Sequence, residues 1–157
     1  MGLFQSFDIC ASGMTAERFR MDTIAENIAN INTTRTEDGT PYRRKIVRFT
    51  EKTLNPTFAE VLAAKRTSGT YGGNKPFEGN GVKVSGIYND YKTDFVMAYE
   101  PEHPDADENG YVRYPNVNTV TEMTNLIDAS RGYEANVTAF NAVKTAAQQG
   151  INAGGNS

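Results

Sequence analysis

The chain has 157 residues, 22% of them charged, with a net charge of −3, one His, one Cys and no Trp. That length is about one domain's worth, enough to bury a single core. The composition excludes a disulfide framework or a Cys/His zinc site, and the near-balanced charge excludes a nucleic-acid or membrane-surface binder by charge alone.

The N-terminal stretch MGLFQSFDICASGM lacks both a positive n-region and an apolar h-region, so no cleaved secretory signal is expected. No stretch approaches the ~18 apolar residues that span a membrane. Met1-Gly2 with Ser6 fits a loose acylation pattern, but Phe4 and Phe7 already serve as face residues of a helix. Cys10 reads as a small packing residue.

The first predicted element is that helix. Phe4, Phe7, Ala11, Met14, Arg18, Met21, Ala25 and Ile28 recur at alternating spacings of four and three, and Ile24 and Ile31 widen the stripe. Arg18 interrupts the seam. The helix should run out near Asn30 to Thr33, because Asn and Thr side chains compete for backbone hydrogen bonds, and Asp38-Gly39 and Pro41 follow as turn signals.

A change of period follows. The runs Tyr42 to Thr50, Val82 to Tyr88 and Asp94 to Glu100 are short and rich in β-branched or aromatic residues, and Gly, Asn and Pro separate them. They predict a small antiparallel β domain, to which Tyr111 to Tyr114 adds a last strand. Asn55-Pro56 followed by Phe58 to Ala64 predicts a short helix with Pro near its first turn, and Thr67 to Gly81, with five Gly, a mobile loop.

The last element is a second long helix. Met123, Leu126, Ser130, Tyr133, Val137, Phe140, Lys144, Ala147 and Ile151 keep a mean period of about 3.5, the spacing that holds one face toward a partner helix, and Ile127 and Val143 flank the stripe. Thr119-Val-Thr-Glu122 has the form of a capping box, with Pro115 just outside, and Gly150 is the expected stop. Gly13 and Gly132 lie inside the two helices, where each costs up to about 1 kcal/mol relative to Ala, so close backbone approach is the expected reason for them. The predicted class is α+β: residues 1–33 and 117–151 form paired, coiled-coil-like terminal helices. A β-rich region, 34–116, carrying the Gly-rich loop 67–81, lies between them, and 152–157 form a flexible tail.

Three clusters invite a chemical reading. The run PDADENG, Pro104 to Gly110, places Asp105, Asp107, Asn109 and Gly110 at positions 1, 3, 5 and 6 of an EF-hand loop. Position 9 would be Arg113 and position 12 Asn116, so a cation would meet a positive side chain and lose its bidentate carboxylate; an Asx turn ending in Gly is the better reading. His103, between Glu102 and Pro104, has no Ser or Cys nucleophile paired with it, and nothing in so polar a run separates the pKa values of Asp105, Asp107 and Glu108. The basic run Arg43 to Arg48 has no aromatic RNA-binding signature, which leaves a solvated strand face or a protein contact. No metal, cofactor, nucleic acid or catalytic site is expected.

Charge distribution says more. Residues 34 to 116 hold twelve Lys/Arg and twelve Asp/Glu, whereas residues 117 to 157 hold only Glu122, Asp128, Arg131, Glu134 and Lys144. A two-helix hairpin facing water would be studded with Lys, Glu and Arg; Asn, Thr, Ala, Gln and Ser suit a helix surrounded by protein, because they allow close neighbours without burying an unpaired charge. The plainer alternative is an Ala/Thr/Asn-rich helix with no partner. Ends that pair with each other and also meet neighbours belong to a filament or ring subunit, since contacts that do not close on themselves generate a helical array.

Ala11-Ser-Gly-Met14, Arg20-Met21 and Ile24 to Thr34 resemble the N-terminal signature of the bacterial flagellar axial family of rod and hook proteins. Tyr99 to Asp107, Gly110 to Asn118 and Glu122-Met123 through Ala129 to Asn136 resemble, more narrowly, its proximal rod members. The matching positions include Asn27, Asn30, Asn32, Thr33, Pro115, Asn116, Asn118, Arg131, Tyr133, Glu134 and Asn136. The resemblance implies a structural subunit of the proximal rod of the flagellar basal body, exported without cleavage through the flagellar type III apparatus into the cell envelope. Its implied partners are copies of itself, sibling rod proteins, and the export gate or membrane-ring base. The segment Thr53 to Asn80 is longer than the resemblance implies. Other readings are another axial protein of the same apparatus, a coiled-coil adaptor, whose charged e and g positions these helices lack, and a hydrolase using the acidic turn.

Overall fold

The computed structural model describes residues 3–52 and 79–154. The elements are α1 (Leu3–Ala29), β1 (Lys45–Glu51), β2 (Val82–Asn89), β3 (Val96–Tyr99), β4 (Tyr111–Tyr114) and α2 (Thr119–Gly154), an α+β arrangement. The short helix expected at 58–64 and most of the Gly-rich loop lie outside the described residues.

At 1.5 Å per residue α1 is about 40 Å long and α2 about 54 Å. They form an antiparallel hairpin: Phe7 meets Phe140 edge to face at 4.9 Å, Gly13 faces Asn136, Gly132 faces Glu17, and Asn27 meets Glu122. In that register α2 runs on past Leu3. Gly13 and Gly132 both sit where the helices come close. A Cβ at Gly13 would lie 2.4 Å from Asn136 Oδ1, and one at Gly132 would lie 3.2 Å from Glu17 Cδ.

The face that α1 turns inward differs from the expected stripe. Phe4, Ala11, Arg18 and Ala25 are exposed, Phe7, Met14, Met21 and Ile28 are half-buried, and the buried positions are Ala16, Thr23, Ile24 and Asn27. The offset is the same from Phe4 to Ile28, so the true contact face lies to one side of the stripe along the whole helix. In α2, Glu122 and Ala129 are buried; Leu126, Ser130, Tyr133, Val137, Phe140, Val143 and Ala147 are half-buried; Met123, Ile127, Lys144 and Ile151 are exposed.

The helix ends bring two corrections and one agreement. α1 ends where expected: Asn30 turns back to donate from Nδ2 to Glu26 O (2.9 Å), and the Thr33 hydroxyl donates to Asn30 Oδ1 (3.1 Å). At α2 the cap is Asn118, not Thr119. Asn118 Oδ1 accepts from the Thr121 amide at 3.1 Å, and its carbonyl accepts from the Glu122 amide at 2.9 Å. Glu122 does not fold back as a capping box requires, because its carboxylate is held inside the molecule. Nor does Gly150 stop the helix: it lacks the positive φ of Gly39, Gly81 and Gly110, and α2 continues to Gly154.

The strands form two separate two-stranded antiparallel sheets rather than one. β1 pairs with β2 from Lys45↔Asn89 to Glu51↔Val82, with a shift between Arg48 and Phe49 that skips Ser85. β3 pairs with β4 from Val96↔Tyr114 to Tyr99↔Tyr111. Alternation places Val112 of β4 in full burial beside Ala98, while Tyr99 and Tyr111 meet edge to face on the outer side at 5.3 Å. The start of β2 rests on α1: Gly81, at φ +86°, passes so near that a Cβ would lie 2.2 Å from Ser12 Oγ, and the Ser12 hydroxyl accepts from the Val82 amide.

Candidate functional site

Two features distinguish this subunit: the faces its hairpin leaves uncovered, and a buried polar joint where the hairpin meets the β region.

The joint begins with local sequence. Asn27 closes the buried track of α1, Arg44 and Lys45 lead into β1, and Glu122 lies in the first turn of α2. Glu122 is fully buried, and so is Asn27. Glu122 Oε1 accepts from Arg44 Nε at 2.8 Å and Nη2 at 2.6 Å, and its Oε2 accepts from Asn27 Nδ2 at 2.9 Å. Asn27 spends its remaining donor on Lys45 O (2.9 Å), while its Oδ1 accepts from the Lys45 amide (2.8 Å) and the Tyr42 hydroxyl (2.9 Å). All four of its hydrogen-bonding places are filled. Lys45 Nζ pairs with Glu26 alongside.

A second asparagine extends the joint. Asn116 Oδ1 accepts from the Arg44 amide at 2.9 Å, and its Nδ2 donates to the carbonyls of Asp90 and Thr93, each at 3.0 Å. Pro115, Asn116 and Val117 are buried with it. Asp90 accepts from the Thr93 hydroxyl and from the amides of Lys92 and Thr93, and these bonds hold its carboxyl below the usual carboxylate range. Burial, with the Glu26 and Glu122 carboxylates nearby, pushes the Tyr42 phenol up to about 12. The Glu122 carboxylate is met by directional donors on both oxygens and the Arg44 guanidinium by that carboxylate, so a buried ion pair is tolerated inside the fold.

The acidic turn is an Asx turn. Asp107 Oδ1 accepts from the Asn109 and Tyr111 amides, each at 2.9 Å, and Gly110 closes the loop at φ +80°. Asp105 Oδ2 accepts from the Thr34 hydroxyl at 2.8 Å, with Arg35 at 3.8 Å from its other oxygen. The open cavity beside it, about 350 Å³, is lined in part by these engaged carboxylates. His103 is a loop-packing residue whose Nδ1 accepts from the Asp105 amide. Among the described residues no three His, Cys, Asp or Glu side chains converge closely enough to hold a metal ion, and no helix is long and apolar enough to cross a membrane. The basic run makes protein contacts: the Arg43 guanidinium lies 4.7 Å from the Tyr91 ring centroid and 4.3 Å from that of Phe95, and Arg48 lies over Tyr88.

The uncovered faces carry apolar side chains among polar and charged ones such as Asp128 and Arg131. On α2, Val120, Met123 and Ile127 are 74%, 53% and 55% exposed; at the far end of the hairpin Phe4 and Ile151 are 81% and 73% exposed. Phe7, Met14, Ile24, Leu126, Tyr133, Val137 and Phe140 are at least half-buried within the chain, whereas these five are exposed.

Comparison with known proteins follows the same two ends. The family model for flagella basal body rod proteins matches residues 7–35, and the model for the C-terminal part of flagellar basal body rod FlgEFG proteins matches residues 108–153. The flagellar basal-body rod protein FlgC of Borreliella burgdorferi is 42% identical over 149 residues, covering 92% of this chain and 93% of the relative. FlgC of Bacillus subtilis is 43% identical over 148 residues with the same coverage, and that of Escherichia coli is 38% identical over 145 residues, with 92% of each chain covered. The chain belongs to the FlgC family of flagellar basal-body rod proteins. As a FlgC-family chain it is a structural subunit of the flagellar rod, which assembles with other rod proteins.

The residues that carried the resemblance divide by position. Asn27 and Asn116 hold the joint, and Asn30 and Asn118 cap helix ends. Asn136 packs on Gly13 and donates to the Gly132 carbonyl at 2.8 Å. Thr33 and Tyr133 are half-buried, while Asn32, Arg131 and Glu134 are exposed. The sequence reading missed Arg44, Glu122, Tyr42 and Asp90 as one cluster. The available signal was Glu122 itself, a lone acid in the first turn of a helix with few charges.

Proposed function

We propose that this FlgC-family chain is a non-catalytic subunit of the proximal rod, assembling helically through its terminal helices so that torque passes along the rod. Its neighbours in this reading are copies of itself and sibling rod proteins, with the export gate or membrane-ring base at one end. The flagellar type III apparatus delivers it to a periplasmic rod.

The observation that carries the reading is the set of uncovered apolar side chains at both ends of the hairpin, together with the few charges of α2. Burying a side chain such as Ile or Phe contributes about 1.5 to 3 kcal/mol, so five exposed in one subunit are a store of assembly energy. The entropy of ordering long terminal segments opposes it. Contacts between one end of a subunit and a different face of the next do not close, and they extend as a helix.

Phe140→Asp tests the reading. A carboxylate placed against the Phe7 ring breaks the hairpin at its distal end, and the expected result is loss of rod assembly and of swimming. The β region keeps its tyrosine near-ultraviolet signal. Normal motility in this variant would contradict the proposal.

A further inference from the structure

The apolar contact between the β region and the hairpin is thin. On the side of the β1–β2 sheet that faces α1, Val47, Phe49, Val82 and Val84 are only half-buried, and β3 and β4 do not reach the helices. Apolar packing of that extent tolerates sliding, because it has no preferred direction. The hydrogen bond from the Val82 amide to Ser12 holds the start of β2 on α1, and the angle about that point is left to the other end of the contact.

Hydrogen bonds are directional, and here they converge from three elements. Arg44 presents two N–H groups to one oxygen of Glu122, and Asn27 presents one to the other oxygen. The same Asn27 clasps both backbone groups of Lys45, and Asn116 clasps the Arg44 amide and two carbonyls of the β2–β3 connection. A rotation of the β region about the hairpin breaks these bonds together. A buried ion pair contributes little net stability, because desolvation offsets its attraction, and an apolar pair of similar volume often serves stability as well. We propose that Arg44 and Glu122 are positioning residues whose role is to set the angle of the β region on the helical hairpin, more than to stabilise the fold. The role belongs to the subunit itself and holds whether or not the hairpin assembles as proposed above.

The test uses the full chain with Cys10→Ser and spin labels at Lys92→Cys and Asp128→Cys, one exposed position on each side of the joint. In this parent the distance distribution between labels should be a single narrow peak. In R44M/E122L, which leaves the Asn27 Nδ2 donor without Glu122 but no charge unpaired, the urea midpoint should fall by less than in Glu122→Leu alone, while the distribution at least doubles in width. Arg44→Lys keeps the charge but loses the two-pronged geometry, and it should also broaden the peak with little change in midpoint. Parental width in either variant overturns the proposal. So does a midpoint for R44M/E122L that falls as far as that of Glu122→Leu alone, or failure of the double variant to fold, since either makes the pair a stabilising element.

Discussion

At the joint, Asp90 accepts hydrogen bonds from the Thr93 hydroxyl and from two backbone amides, and its carboxyl is held below the usual carboxylate range. A carboxyl depressed on folding contributes stability above its unfolded value, about pH 4, and that contribution is lost as pH falls through the folded value. Asp90→Asn should therefore unfold at lower urea than the parent at pH 7, and the gap should close as pH falls below about 4. A gap independent of pH would mean that the ionised form is not what the turn binds. The start of α2 gives a second residue-level expectation. Asn118→Ala should cost about 1 kcal/mol in urea unfolding, as lost caps do, and Thr119→Ala only a few tenths. The capping box was legible as a pattern, yet the pattern was off by one residue, because Glu122 had a stronger claim on it. Arg44 lies 78 positions away in the chain and Asn27 lies 95 away. Local spacing carries no information about partners so distant, which is why the joint had to be seen in three dimensions. The Asx turn at Asp107 and the half-buried His103 were readable, since their hydrogen bonds lie within four residues.

At the scale of elements, both long helices and all four strands could be placed to within a few residues, because 3.6-residue and two-residue periods leave direct traces in the order of apolar side chains. What periodicity could not give was the contact face of α1. Its apolar side chains serve two surfaces, one toward α2 and the β region and one left open at Phe4, so a single stripe drawn through them follows neither. The split into two sheets also left no trace, since each strand reads alike whichever neighbour it takes. Burial along the hairpin is graded. The buried positions of α1 lie from Ala16 to Asn27 and those of α2 at Glu122 and Ala129, while nearly every residue from Asn141 to Gly154 is exposed. Amide exchange in the dilute subunit should follow that gradient, with protection around Ile24 to Asn27 and Glu122 to Ala129 and rapid exchange toward Leu3 and Gly154. Far-ultraviolet circular dichroism should then gain helix on assembly. Uniform protection of both helices in the free subunit would contradict this.

For the whole molecule, the β region is balanced in charge and lies along α1 from Ser12 to the joint, while α2 carries few charges and both ends of the hairpin carry exposed apolar side chains. A patch of the size formed by Val120, Met123 and Ile127 is within the range a monomer tolerates and is smaller than a stable dimer interface requires. Each contact through this patch would therefore be weak alone, and assembly by it would need many neighbours at once. Ile127 offers the most direct measurement, because it is 55% exposed and a charge there leaves the subunit's own packing intact. Ile127→Asp should change the unfolding free energy of the isolated subunit by no more than about 0.5 kcal/mol, the usual range for surface substitutions. Electron microscopy of basal bodies from cells carrying only this variant should show them without a complete rod. Full rods and normal swimming would contradict the claim that the outer face of α2 is an assembly surface.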